Sequence, residues 1–193
     1  MKNWHKGIRK AYWYKYIKED NILYVQINQI MSLENRPLLS FCDSINLLID
    51  TLDISAFVLD IRNNGGGNTD LNKHILKVML SGKINIKGKL FTVIGCNTFS
   101  AAQNLTTIIE NYTETIFIGE RTASKPHFIG ESNAFTLPYS SVMVGSSNVF
   151  HQRGYSTDTR KWVSPDIFVE FNFEHFKNGI DPVIEEIIKY TNN

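Results

Sequence analysis

Leu90-Phe91-Thr92-Val93-Ile94-Gly95-Cys96-Asn97-Thr98-Phe99-Ser100-Ala101-Ala102-Gln103 is the stretch on which the reading of this chain turns. Leu90 to Gly95 is a short apolar run of the kind that forms a buried strand, and Ala101 to Ile109 carries apolar residues at helical spacing. Ser100 therefore stands where a strand turns into a helix. Residues at such a turn have two uses. Thr98 or Ser100 can cap the helix by accepting a hydrogen bond from a backbone N–H of its first turn. Alternatively, the Ser100 hydroxyl projects from a sharp turn as a nucleophile, with unbonded N–H groups at the helix start available to stabilise an oxyanion.

Working outward, Ala56-Phe57-Val58-Leu59-Asp60-Ile61 predicts a central strand buried on both faces and carrying one carboxylate. It ends in Arg62-Asn63-Asn64-Gly65-Gly66-Gly67-Asn68, a loop whose glycines permit positive φ and close approach of another chain to the backbone. A phosphate-binding loop would need Lys-Ser/Thr after its last glycine, and Asn68-Thr69-Asp70 follows instead. Presentation of backbone N–H groups to a carbonyl fits the loop better.

The remaining elements alternate. Tyr12 to Ile17 and Ile22 to Ile27 read as a hairpin joined by Lys18-Glu19-Asp20-Asn21, and Leu38 to Leu52 reads as an amphipathic helix. Leu71 to Leu80 is a second helix, and Thr115 to Gly119 another buried strand. Strands alternating with helices build a largely parallel sheet covered by helices, with functional residues at the strands' carboxyl ends. The glycine loop, Ser100 and the segment after Gly119 all fall at such ends. Further on, Asn133 to Leu137 and Val142 to Phe150 predict strands of an antiparallel part. Asp181-Pro182 caps and starts a terminal helix, expected to pack on the outside.

Bulk composition narrows the function classes. A chain of 193 residues suits one domain, spanning 1–193, and 42% hydrophobic with 20% charged residues is ordinary for a globular protein. A net charge of +1 argues against a nucleic-acid footprint. The apolar runs are too short to span a bilayer, and Met1 to Lys6 is not followed by the apolar core of a signal peptide. Cys42 and Cys96 make no metal site and by default are buried thiols.

Three motifs carry a resemblance. Asp60-Ile61-Arg62-Asn63-Asn64-Gly65-Gly66-Gly67, Asn97-Thr98-Phe99-Ser100-Ala101-Ala102 and Gly119-Glu120-Arg121-Thr122-Ala123-Ser124-Lys125-Pro126 are similar, in this order, to motifs of the tail-specific, or C-terminal processing, serine peptidases. The similarity runs from about Tyr12 to the helix at Pro182. It implies an α/β fold of the Clp protease and crotonase type, a β-β-α superhelix with a mostly parallel sheet. It implies a Ser-Lys dyad in which Ser100 is the nucleophile and Lys125, 25 residues later, the general base. No metal or organic cofactor is implied; the partner is a peptide or protein substrate. Family habit suggests a bacterial extracytoplasmic location. The chain resembles a compact branch without a PDZ domain, and it departs from the pattern at Ile129, where processing peptidases often carry glutamine.

Role by role, Gly66 and Ala101 are the expected oxyanion donors, with Gly65 or Gly67 as alternatives to the former. Asp60 and Arg62 are expected to support the glycine loop through a charge-assisted hydrogen bond. Lys125 needs burial to lose its proton near neutral pH, and Pro126, Phe128 and Ile129 are expected to supply apolar surroundings. His127 and His151 are the histidines expected nearest the site. The competing reading is a non-catalytic binding module on the same fold.

Overall fold

The computed structural model describes residues 7–192; Met1 to Lys6, including His5, lie outside the described residues. The chain is mixed α/β, with a mostly parallel six-stranded sheet and a separate antiparallel ribbon. Strands β1 (Tyr12–Ile17) and β2 (Ile22–Ile27) form the expected hairpin, paired from Tyr12 with Ile27 to Ile17 with Ile22. From β2 the sheet continues in parallel through β3 (Ala56–Asp60), β4 (Leu90–Ile94) and β5 (Ile116–Gly119), all fully buried. It ends at β8 (Ile167–Phe168), paired parallel to β5. The crossovers from β2 through β5 run through helices that cover one face of the sheet.

One face carries Leu23, Val25, Phe57 and Leu59 against helices α1 (Leu38–Thr51), α2 (Asn72–Met79) and α3 (Ala101–Tyr112). The other carries Tyr24, Val58, Phe91 and Ile118 against Val183, Ile184 and Ile187 of α5 (Pro182–Thr191). Each of those α5 side chains contributes about 1.5–3 kcal/mol by leaving water. The terminal helix is thus the cover of the second face. A short helix, α4 (Phe173–Asn178), precedes it, closed by an Asn172–His175 capping box and by Gly179 in the left-handed conformation.

The antiparallel part begins earlier than the sequence suggests. It consists of β6 (His127–Thr136) and β7 (Met143–Gln152), in register from His127 with Gln152 to Thr136 with Met143. The cysteines also differ from the default: Cys42 is buried, its thiol pushed up to about 12 by burial and by Asp43, whereas Cys96, just beyond β4, is exposed. Among the described residues no helix is long and apolar enough to cross a membrane.

Candidate active site

Ser100 occupies the N-cap position of α3 with φ +53° and ψ −123°, and its side chain makes no capping hydrogen bond. A positive φ at a non-glycine residue costs about 1–3 kcal/mol, a strain that persists only where the surroundings enforce it. They do so through four hydrogen bonds. Thr98 Oγ1 donates to the Ile61 carbonyl at 3.0 Å and accepts from the Gly95 N–H at 3.1 Å, so Thr98 stitches the turn to β3 rather than capping the helix. The Phe99 N–H donates to the Asn64 carbonyl, and the Ala123 N–H donates to the Thr98 carbonyl. The turn is therefore held by the glycine loop on one side and by the segment leading to Lys125 on the other.

The glycine loop is folded around Asn64, a buried residue within the first motif to which sequence reasoning gave no role. Its Nδ2 donates to the Ile27 carbonyl at 2.9 Å, and its Oδ1 accepts from the Gly66 N–H at 2.9 Å. Gly66, at φ +122°, faces the serine: a Cβ there would come within 2.7 Å of Ser100 Cβ, 3.1 Å of Ser100 Oγ and 3.2 Å of the Ala101 nitrogen. This corrects the role expected of Gly66, because its N–H is already bonded to Asn64. What Gly66 supplies is an empty space in front of the hydroxyl. The Gly66 carbonyl and the Asn68 N–H both bond to Ile30, so the Gly67 N–H between them points away from Ile30 and has no partner among the described residues. The Ala101 N–H, first in its helix, also has none.

Beneath the loop lies a buried charge network. Asp60, fully buried, accepts from the Arg62 backbone N–H at 3.0 Å, from Arg62 Nε at 2.9 Å and from Tyr24 Oη at 2.5 Å. The far side of the guanidinium is bidentate to Asp181, at 3.1 and 2.8 Å, and Asp181 also caps α5 by accepting from the Val183 N–H. Burial would lower the Arg62 pKa, but Asp60 and Asp181 outweigh it and raise it well above the usual value. Burial and then Asp60 push the Tyr24 phenol well above its ordinary range. Sequence reading placed Asp60 with Arg62 but saw Asp181 only as a helix cap.

Lys125 is exposed. It lines an open groove with Phe99, Phe128, Ile129, Phe150 and Lys161, and its ammonium makes no hydrogen bond or ion pair with Ser100 or any other described residue. Pro126 and Phe128 are buried as expected, but Ile129 is 59% exposed, so the apolar enclosure is incomplete. His127 Nε2 lies 2.8 Å from the Tyr155 carbonyl, which can only accept, so Nε2 carries the proton; Nδ1 is buried without a partner. His151 stacks on Phe128 with ring centres 4.9 Å apart and lies 3.7 Å from Glu131.

No protein-family model matches the chain, and no curated protein matches it. Solved structures do. A candidate peptidase from Parabacteroides merdae aligns with a TM-score of 0.64 at 15% identity, over 96% of this chain and 68% of its own. A candidate S41 protease from Bacteroides fragilis gives 0.62 at 14%, over 94% and 57% respectively. The photosystem II D1 C-terminal processing protease gives 0.57 at 17%, over 83% of this chain and 48% of that protein. The chain thus spans between 48% and 68% of the length of these three proteins, and in its fold it is similar to the S41 family of peptidases.

Proposed function

We propose that this chain is a serine-type peptidase in which Ser100 is the nucleophile and Lys125 the general base. The observation that carries the reading is the strained Ser100, turned by its positive φ toward the side-chain-free face of Gly66 instead of capping α3. As Ser100 Oγ bonds to a peptide carbonyl carbon, its proton passes to Lys125 Nζ and the carbonyl oxygen becomes an oxyanion. The Ala101 and Gly67 N–H groups, both without another acceptor, are suited to hold that oxygen. Collapse breaks the C–N bond, and the lysine returns the proton to the leaving amine. Water then releases the acyl group by the same steps.

For this, Lys125 must leave solvent and turn its flexible stem toward Ser100, where loss of water lowers its pKa. The groove beside it, with Phe99, Phe128, Ile129 and Phe150, offers apolar contact to a peptide substrate. Action on protein C-terminal tails and a bacterial extracytoplasmic location rest on the motif resemblance. A non-catalytic binding module is the second reading, favoured by one observation: the exposed Lys125 does not bond to Ser100.

A fluorophosphonate probe, read by mass spectrometry beside a casein or peptide assay, tests the proposal. Wild type should acquire one adduct at Ser100 and cleave substrate. Ser100→Ala should lose both, with a rate loss on the order of 10⁶, as for removal of a serine nucleophile elsewhere. A wild type that neither cleaves nor forms an adduct would leave the binding module standing.

A further inference from the structure

Gln103 is fully buried, yet neither its Oε1 nor its Nε2 has a hydrogen-bond partner among the described residues. A buried amide left unpaired at both ends costs a few kcal/mol and calls for an explanation. Two other amides near the site, those of Asn72 and Asn104, are each anchored through Nδ2, to the Ala101 carbonyl and to Thr69 Oγ1. Those bonds fix the face of α3 that looks toward α2. Gln103 lies on a different stripe of α3, between Ser100 and Thr107, spaced three and four residues from them.

The segment from Ala123 to His127 is tied near α3 at both ends. At one end the Ala123 N–H bonds to the Thr98 carbonyl, just before the helix. At the other, Gly154 packs between Thr107 and His127: a Cβ on it would lie 3.1 Å from Thr107 Cγ2 and 3.4 Å from His127 Cε1. Lys125 is midway along this segment, and Gln103 midway along the facing stretch of helix.

We infer that Gln103 is the positioning residue for Lys125, its Oε1 accepting from the ammonium and directing Nζ at the Ser100 hydroxyl. The inference rests on the peptidase reading. It accounts for an amide kept buried without partners and for the apolar Ile129, which supplies no polar group to this lysine. The other titratable groups beside Lys125 are His127, with Nε2 on the Tyr155 carbonyl, and Lys161 across the groove. Both stay unchanged in the variants below, so differences report on position 103.

The test compares wild type, Gln103→Leu and Gln103→Glu by peptide kinetics across pH, fluorophosphonate labelling and thermal melting. Gln103→Leu should lower kcat about 10- to 100-fold with KM nearly unchanged, while melting at the same or a higher temperature, since an unpaired amide is replaced by an apolar group. A structural role would give the opposite melting result. Gln103→Glu sets a carboxylate beside the ammonium, so the rise of rate with pH should move upward by about 1–3 units and much of the activity return in alkali. Should the leucine variant fold poorly, the glutamate profile decides. With an active wild type, a Gln103→Glu profile superimposable on it overturns the inference and leaves the peptidase reading intact. A wild type that neither cleaves nor labels overturns both.

Discussion

The two walls of the Ser100 site are built to different standards. On the glycine-loop wall, Asn64, Thr98, Asp60, Arg62 and Asp181 are bonded to one another or to backbone, and hold Ser100 in a strained turn. On the lysine wall, Lys125 lies in solvent while Gln103 and His127 Nδ1 are buried without partners. Donors aimed at a developing charge act only if fixed before the reaction, because reorganising them consumes the stabilisation they provide. A base has no such requirement and can be brought in with the substrate, which also removes the water that keeps it charged. Under the proposed mechanism, the asymmetry places rigidity around Ser100 and adaptability around Lys125.

That contrast is broken most directly at Gly66. Gly66→Ala places a methyl against Ser100 Oγ and the Ala101 N–H at a φ of +122°, so hydrolysis should fall below detection while circular dichroism keeps its native form. Turnover close to wild type would mean that the loop does not border the reacting carbonyl. On the other wall, Lys125→Arg substitutes a cation that cannot give up its proton near neutral pH. Activity should drop roughly 10²- to 10⁴-fold, with stability moved by no more than about 0.5 kcal/mol because the side chain is exposed. An unchanged rate would pass the role of base to another group, with His127 first to be tried.

The network beneath the loop should answer in stability. Arg62→Ala leaves two buried carboxylates facing each other without their cation, a loss of about 3–5 kcal/mol that denaturant titration would register. A melting temperature equal to wild type, with lost activity, would recast Arg62 as a substrate ligand. Tyr24→Phe is milder: removing a hydrogen bond to a buried charge costs about 1.5–3 kcal/mol. It also changes the alkaline behaviour. The folded phenol has a raised pKa, so its contribution is complete below about pH 10, the unfolded value, and is lost as pH climbs toward the folded one. Wild-type stability should therefore decline above about pH 10 by up to 1.4 kcal/mol per unit more steeply than that of Tyr24→Phe. Parallel curves would detach Tyr24 from this linkage.

The sheet was legible because its strands are continuous apolar runs, Ala56 to Leu59 and Leu90 to Ile94, with little to compete for them. The ribbon was less so. In β6, His127, Gly130 and Ser132 break the apolar alternation, and only the end near Phe135 read as strand, whereas β7 was read almost whole. The hexapeptide α4 carries too little periodicity to stand out, and its cap uses histidine at the position where glutamate or glutamine usually signals one. Within the site, adjacency in sequence revealed Asp60 with Arg62. The link to Asp181 spans 119 residues and has no local signature. Asn64 lay inside a noticed motif, but its two hydrogen bonds depend on where Ile27 and Gly66 meet in space. The exposure of Lys125 follows from a ribbon whose Ile129 side is uncovered, which no apolar count around the lysine reveals.

The Arg62–Asp181 contact also sets an order of events during synthesis. At roughly 5–20 residues per second, a ribosome needs on the order of 6–24 s to travel the 119 residues between them. Through that interval the sheet can pair from β1 to β5, but Arg62 lacks its Asp181 carboxylate and the second face of the sheet lacks α5. A nascent chain at that stage exposes Tyr24, Val58 and Phe91, a surface of the kind chaperones bind. Arrival of Asp181 brings Arg62 its second carboxylate and caps the last helix, so the ion network is completed only after translation has passed the end of the sheet.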